Sequence, residues 1–117
     1  MRFVLFAAAL VIASGGVAYA DDDVMATFYG NTVISKGGMG EVHTYYKADH
    51  TFTMKAPAFG TEWKGSWKVD GANMCRAFDG ASPPGVTNPL CLPIEAHKIG
   101  DTWTVAGRTV TLVQGIQ

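Results

Sequence analysis

A two-residue alternation of apolar and polar side chains is the feature that most constrains the fold of this chain. It is clearest in residues 63–69, where Trp63 and Trp67 share one face while lysine and serine side chains share the other. Residues 41–47 and 51–55 repeat the pattern. Such alternation is typical of antiparallel strands that have one buried and one solvated face. Since no segment longer than about three turns shows a helical apolar stripe, the chain is predicted to be mostly β-structure.

Turn-forming residues separate these runs at the spacing of hairpins. Further strands are expected in residues 74–78, 90–96, 103–105 and 109–113, with a weaker strand or two in 24–34. Pro93 lacks a backbone N–H, which places it on an edge strand or at a bulge. The prediction is an all-β fold: a small antiparallel meander of about seven short strands that forms a closed or partly closed barrel. The expected core consists of Tyr46, Phe52, Met54, Trp63, Trp67, Val69, Phe78, Leu92, Ile94, Trp103, Val110 and Leu112.

Residues 1–20 have the layout of a secretory signal peptide. Arg2 supplies a positive start, residues 3–12 form an unbroken apolar run, and Ala18-Tyr19-Ala20 offers a cleavage site with small flanking residues. We expect cleavage before Asp21, which leaves residues 21–117 as a single domain in the periplasm or secreted. No other stretch approaches the roughly 20 apolar residues of a membrane-spanning helix, so no membrane span is predicted.

The two cysteines are predicted to form a structural disulfide. Cys75 and Cys91 are the only pair, and export would take them to a compartment in which disulfides form and persist. Each lies on the face of its predicted strand opposite to the apolar residues, so the two sulfurs can meet between neighbouring strands. Closing a loop of this length contributes roughly 3 kcal/mol in the chain-entropy model.

The charge pattern argues against polyanionic partners. Nine Lys or Arg and ten Asp or Glu give a formal net charge of −1, and the basic residues are scattered singly along the chain. Nucleic-acid binding needs a basic stripe that displaces counterions from phosphates. Binding to an anionic membrane surface needs a similar concentration of positive charge. Neither partner is predicted.

Metal binding and catalysis have little support in the sequence. His43, His50 and His97 lack the spacing of a zinc or copper site, and no Gly-x-Ser-x-Gly marks a nucleophile elbow. Glu95 and His97 lie two positions apart and would share a strand face, which favours an exposed pair over an acid–base centre. The sequence therefore predicts a protein that is not an enzyme and that uses no cofactor and no metal.

One motif carries a family resemblance. Gly65-Ser66-Trp67 resembles the Gly-x-Trp of lipocalins, which lies on their first barrel strand with its tryptophan plugging the closed end; here it follows at least two predicted strands. The resemblance implies a fold and a compartment and carries over no catalytic residue. The wider pattern resembles small exported bacterial proteins with lipocalin-like β folds and uncharacterised function; it consists of Gly30-Asn31-Thr32, Tyr45-Tyr46, Asp49-His50-Thr51, Gly65-Ser66-Trp67, Cys75, Cys91 and Gly100-Asp101-Thr102-Trp103.

Two functional hypotheses remain, both based on non-covalent binding and both compatible with any oligomeric state. The first is a domain that binds an apolar small molecule or a cell-envelope component, motivated by an aromatic content of 11%. Against a ligand, the interior of a barrel of about eight strands can be filled by its own side chains. The alternative is a protein-interaction or inhibitor module that uses the Pro-rich loop 79–89, with Ser82, Pro83 and Pro84 as candidate contact residues. Rigid prolines would lower the entropic cost of binding there.

Overall fold

The computed structural model describes residues 24–38 and 40–117. The predicted signal peptide, residues 1–20, and its cleavage site lie outside the described residues. A turn of 3-10 helix (Ala26–Phe28) comes first, and no helix in the described ranges has the length and apolar character needed to cross a membrane. Eight strands follow: β1 (Thr32–Gly37), β2 (Gly40–Tyr46), β3 (Thr51–Ala56), β4 (Thr61–Asp70), β5 (Asn73–Phe78), β6 (Leu90–Pro93), β7 (Thr102–Val105) and β8 (Arg108–Val113).

The eight strands form one antiparallel sheet in the order β6-β5-β4-β3-β2-β1-β8-β7. Strands β1 to β6 pair in chain order, and β8 returns to pair with β1 while β7 pairs with β8. The meander therefore curls into a nearly closed barrel whose seam lies between β6 and β7. This confirms the predicted antiparallel meander and partly closed barrel, with eight strands in place of about seven. Pro93 ends the edge strand β6, as its missing N–H requires.

The antiparallel order places the connections at two ends of the barrel. We call one end the mouth; it contains the tip of the β1–β2 hairpin and the connections 57–60, 79–89 and 106–107. We call the other end the floor; it contains residues 24–31, 47–50, 71–72, 94–101 and 114–117.

The buried core is concentrated at the floor and includes residues that the alternation does not predict. Met25 and Phe28 are 0% and 2% exposed, yet they lie in and beside a 3-10 turn, which has no two-residue period. The other buried members are Val33, Tyr46, Phe52, Met54, Trp67, Met74, Phe78, Val110 and Leu112. Five predicted core residues are only half-buried: Trp63, Val69, Leu92, Ile94 and Trp103. All of them except Val69 line the barrel cavity.

Gly65 allows two strands and two aromatic rings to approach each other closely. It lies in β4, opposite Phe52 on β3 and Phe78 on β5, and these two rings meet edge to face with centroids 5.3 Å apart. A Cβ on Gly65 would overlap the carbonyl oxygen of Ala77 and would lie 2.9 Å from the Phe52 ring. The glycine of the Gly-x-Trp motif is therefore required by the packing of the barrel.

The predicted disulfide between Cys75 and Cys91 is present. The two residues are direct partners in the register between β5 and β6. Their neighbours Met74, Leu90 and Leu92 face the barrel interior, so the bridge lies on the outer surface. It joins the edge strand to the rest of the sheet.

Candidate ligand-binding cavity

A cavity of about 270 Å³ lies inside the barrel, and all eight strands contribute to its wall. The interior of a barrel of about eight strands can be filled by its own side chains, but in this barrel part of the interior stays empty. The empty volume arises because several inward-facing positions carry small side chains, among them Ser35, Val42, Thr44 and Ala56. The strands thus enclose a volume that their own side chains do not occupy.

The wall of the cavity is apolar or aromatic at most positions. The exceptions are Ser35, Thr44, Arg76 and Arg108, and the aromatic Tyr46 adds a phenol hydroxyl. Aliphatic and aromatic residues make up the remainder, with Val33, Met54, Met74, Phe78 and Val105 among them. A lining of this kind favours apolar groups over water, because few polar atoms are available to hydrogen-bond a solvent molecule.

Aromatic residues close the floor beneath the cavity. Trp67, the tryptophan of the Gly-x-Trp motif, is 2% exposed, and its indole N–H donates to the carbonyl oxygen of Lys47 at 3.0 Å. The ring of His50 stacks on Trp67 with centroids 4.1 Å apart. Phe28 lies between Tyr46, at 5.9 Å, and Trp103, at 6.4 Å. These rings form a packed layer at the floor.

Hydrogen bonds between residues 31–32 and residues 115–117 reinforce the floor. The Thr32 hydroxyl donates to the carbonyl oxygen of Gly115 at 2.7 Å and accepts from the N–H of Gln117 at 2.9 Å. The side-chain oxygen of Asn31 accepts from the N–H of Gly115 at 2.9 Å. These bonds hold the last residues of the chain against the start of β1.

The mouth is built from connections and is open to solvent. Phe59, Pro83, Val86 and Ala106, all from mouth connections, line the cavity. Phe59 is nevertheless 65% exposed, so the cavity meets the surface beside it. A ligand can enter at this end without displacing the packed floor.

The Pro-rich loop 79–89 is a wall of the cavity. Asn88 pins it to β5, because its side-chain oxygen accepts from the N–H of Phe78 at 2.9 Å and its amide donates to the Phe78 carbonyl oxygen at 3.1 Å. The Ser82 hydroxyl donates to the carbonyl oxygen of Val86 at 2.7 Å. Of the three candidate contact residues, Pro83 is buried, Ser82 is half-buried and Pro84 is exposed.

Two arginines, Arg76 and Arg108, supply the only charges among the described residues that line the cavity. Arg108 lies at the mouth, where its guanidinium donates to the Ser35 hydroxyl, to the Ser35 carbonyl oxygen at 3.1 Å and to the Gly40 carbonyl oxygen at 2.8 Å. Its side chain packs against Gly37. A Cβ atom on Gly37 would lie 2.7 Å from the guanidinium of Arg108, so the glycine makes room for this side chain. Arg108 therefore fastens β8 to the β1–β2 hairpin.

Arg76 has a different environment. It is half-buried on β5, and its guanidinium contacts the Met54 sulfur at 3.8 Å. It also faces Tyr46: burial raises the pKa of the Tyr46 hydroxyl, while the charge of Arg76 and a hydrogen bond from it act in the opposite direction. No carboxylate of residues 24–38 or 40–117 forms an ion pair with Arg76.

The three histidines lie apart and pair with different neighbours. His43 bonds to Glu41, which lowers the pKa of that carboxyl group. The ring of His97 stacks on Trp103 with centroids 3.5 Å apart, and its Nδ1 lies 3.5 Å from a carboxylate oxygen of Asp101. The strand that would place Glu95 and His97 on one face ends at Pro93. In the described part of the chain, no cluster of three or more His, Cys, Asp or Glu side chains is placed to hold a metal ion.

Comparisons with protein-family models, with curated proteins and with solved structures find no match to this chain. Function is therefore inferred from the cavity. The lining of the cavity has room for an apolar chain and a positive charge that can attract a negative group.

Arg76 is not among the candidate site residues predicted from the sequence. The alternation of Met74, Arg76 and Phe78 nevertheless indicates that the Arg76 side chain faces the interior, since these three positions share one face of the strand.

Proposed function

We propose that this protein is an exported binding protein that holds a small apolar molecule non-covalently in the barrel cavity. The observation that carries the proposal is the 270 Å³ apolar cavity that opens beside Phe59. An apolar cavity of about 150 Å³ is already large enough to stay dry and to bind benzene. Burial of apolar ligand surface would supply the affinity.

The arrangement of the barrel supports a preformed site. The packed floor and the Cys75–Cys91 bridge hold the strands in place without a ligand, so little conformational entropy would be lost on binding. The predicted signal peptide would deliver the protein to the cell envelope or beyond, where a carrier of apolar molecules is useful because they dissolve poorly in water. We also propose kinship with the small exported lipocalin-like proteins, on the motif described above.

The neutral fluorescent probe N-phenyl-1-naphthylamine tests the proposal. Its fluorescence should rise on titration with the purified protein, because the cavity removes it from water. The variant Val42→Phe adds a ring to a half-buried position on the cavity wall and should weaken probe binding at least tenfold. Thr53→Phe adds the same ring type to the opposite face of the sheet, on β3, and should leave binding unchanged.

Equal loss in both variants, or no binding by the native protein, would contradict the cavity proposal.

The loop hypothesis is the second candidate, and the fixed conformation that Asn88 and Ser82 give to loop 79–89 favours it. Pro84→Ala changes the exposed tip of the loop without altering the cavity wall. Loss of capture of a protein partner by this variant, with probe binding unchanged, would favour the loop as the working surface.

A further inference from the structure

We infer that the ligand is a single-chain amphiphile with an anionic head group, a fatty acid in chemical class, whose carboxylate binds Arg76 while its alkyl chain extends toward the mouth. The inference rests on the proposed function and deepens it. In this inference, Arg76 and Tyr46 recognise the head group. The apolar wall recognises the chain.

The first argument is the electrostatic imbalance of the cavity. Among the described residues, the lining contains two guanidinium groups and no carboxylate. A charged group enclosed by apolar side chains is costly unless an opposite charge or hydrogen-bond acceptors accompany it. Arg108 has three acceptors on β1 and β2. For Arg76, the polar contacts within the described ranges are the Met54 thioether sulfur and the Tyr46 phenol. An anionic ligand would complete the environment of Arg76.

The second argument is the geometry around Arg76. Guanidinium presents a planar fork of N–H donors that matches a carboxylate in a bidentate manner. Tyr46, 5% exposed and next to Arg76, adds a hydroxyl that can donate to a carboxylate oxygen. One guanidinium balances one negative charge, so a monoanionic head group fits better than a doubly charged phosphate.

The third argument is the direction in which the cavity continues. Arg76 contacts Met54 and Tyr46, and the aromatic floor lies beyond Tyr46. From Arg76 the apolar wall extends to Val86 and Phe59 at the open end. An alkyl chain attached to a head group at Arg76 would therefore extend along this apolar wall toward the mouth.

The test compares decanoate, decanol and decyl phosphate, each below its micelle concentration, by displacement of N-phenyl-1-naphthylamine. Decanoate should bind about 10- to 100-fold more tightly than decanol, which is the range for a hydrogen bond to a charged group. It should also bind more tightly than decyl phosphate. Across saturated fatty acids, affinity should rise about fourfold per methylene until the chain fills the cavity.

The variant Arg76→Met removes the charge and retains an apolar side chain. It should abolish the preference for decanoate over decanol, and Arg76→Lys should keep part of it. Lys68→Met is the matched control, because it removes one positive charge from an exposed position on the outer face of the neighbouring strand; it should leave the preference intact. Thermal melts of each variant verify folding, and the comparison of acid with alcohol in the native protein needs no variant.

The outcomes separate this inference from the proposed function. Equal affinity of the native protein for decanoate and decanol would overturn the head-group assignment and leave the apolar cavity as the binding site. Tighter binding of decyl phosphate would overturn the carboxylate assignment. Failure of all three compounds and of the neutral probe to bind would overturn the proposed function and this inference together.

Discussion

Phe28 at the floor and Phe59 at the mouth are the same residue type at opposite ends of one barrel, and they are 2% and 65% exposed. Phe28 lies between Tyr46 and Trp103, whereas Phe59 borders the cavity opening. At the floor, buried rings pack together and hydrogen bonds join residues 31–32 to residues 115–117, while the mouth consists of hairpin tips and the Pro-rich loop. From this difference we expect the stability of the barrel to depend mainly on the floor and little on the mouth.

Glycine substitutions in the packed core and at the mouth should show the largest contrast. Gly65→Ala places a methyl group against the Ala77 carbonyl and the ring of Phe52 in the buried core, and should destabilise the protein by about 5 kcal/mol or more. Gly60→Ala at the mouth meets no atom within 4 Å but retains a φ of +67°, so it should cost only about 1–2 kcal/mol. Urea unfolding of both variants measures the contrast. Similar losses would show that Gly65 is not a packing requirement.

Truncation of the two phenylalanines tests the same contrast in side chains. Phe28→Ala leaves a void beneath the cavity and should cost about 3–5 kcal/mol. Phe59→Ala removes an exposed ring and should change stability by no more than about 0.5 kcal/mol. Free energies of unfolding for the pair measure this difference. A large cost for Phe59→Ala would mean that the mouth is part of the stabilising core.

Removal of the disulfide should give an intermediate effect. The double variant Cys75→Ser with Cys91→Ser frees edge strand β6 and should lower stability by roughly 3 kcal/mol. A melt under oxidising conditions measures the loss, and the native protein under reducing conditions provides an independent comparison. An unchanged melting temperature would show that the pairing of β6 with β5 needs no covalent support.

The smallest predicted effect is a pH dependence at the floor. The pKa of Asp101 is lowered, chiefly because its carboxylate accepts the backbone N–H of Lys98 at 2.9 Å and also faces His97. Its stabilising contribution is therefore complete above the unfolded pKa of about 3.9 and is lost as the pH falls through the lower folded value. The stability difference between native protein and Asp101→Asn should shrink below about pH 4. A difference that stays constant down to pH 3 would contradict this contribution.

Alternation in the sequence was sufficient to predict β2 to β5, β7 and β8, the outward disulfide and the edge position of Pro93, because these depend on a period of two and on a missing N–H. It was less accurate for the other two strands: β1 covers Thr32–Gly37, where only a weak strand in 24–34 was expected, and β6 ends at Pro93 and does not reach residue 96. The plug formed by Met25 and Phe28 could not be predicted in this way, since a 3-10 turn has no such period. The cavity escaped prediction for another reason. Its volume depends on how small residues such as Ser35 and Ala56 face each other across the barrel, and one strand alone does not reveal its opposite neighbours.

The most direct test of the central claim is an NMR measurement of contacts between the protein and uniformly ¹³C-labelled decanoate. We predict that the methyl end shows nuclear Overhauser effects to Val86 and Phe59 at the mouth, and that the protons next to the carboxylate show them to Arg76 and Met54. Contacts confined to the outer face of the barrel, or the absence of any intermolecular contact at saturating decanoate, would contradict the account.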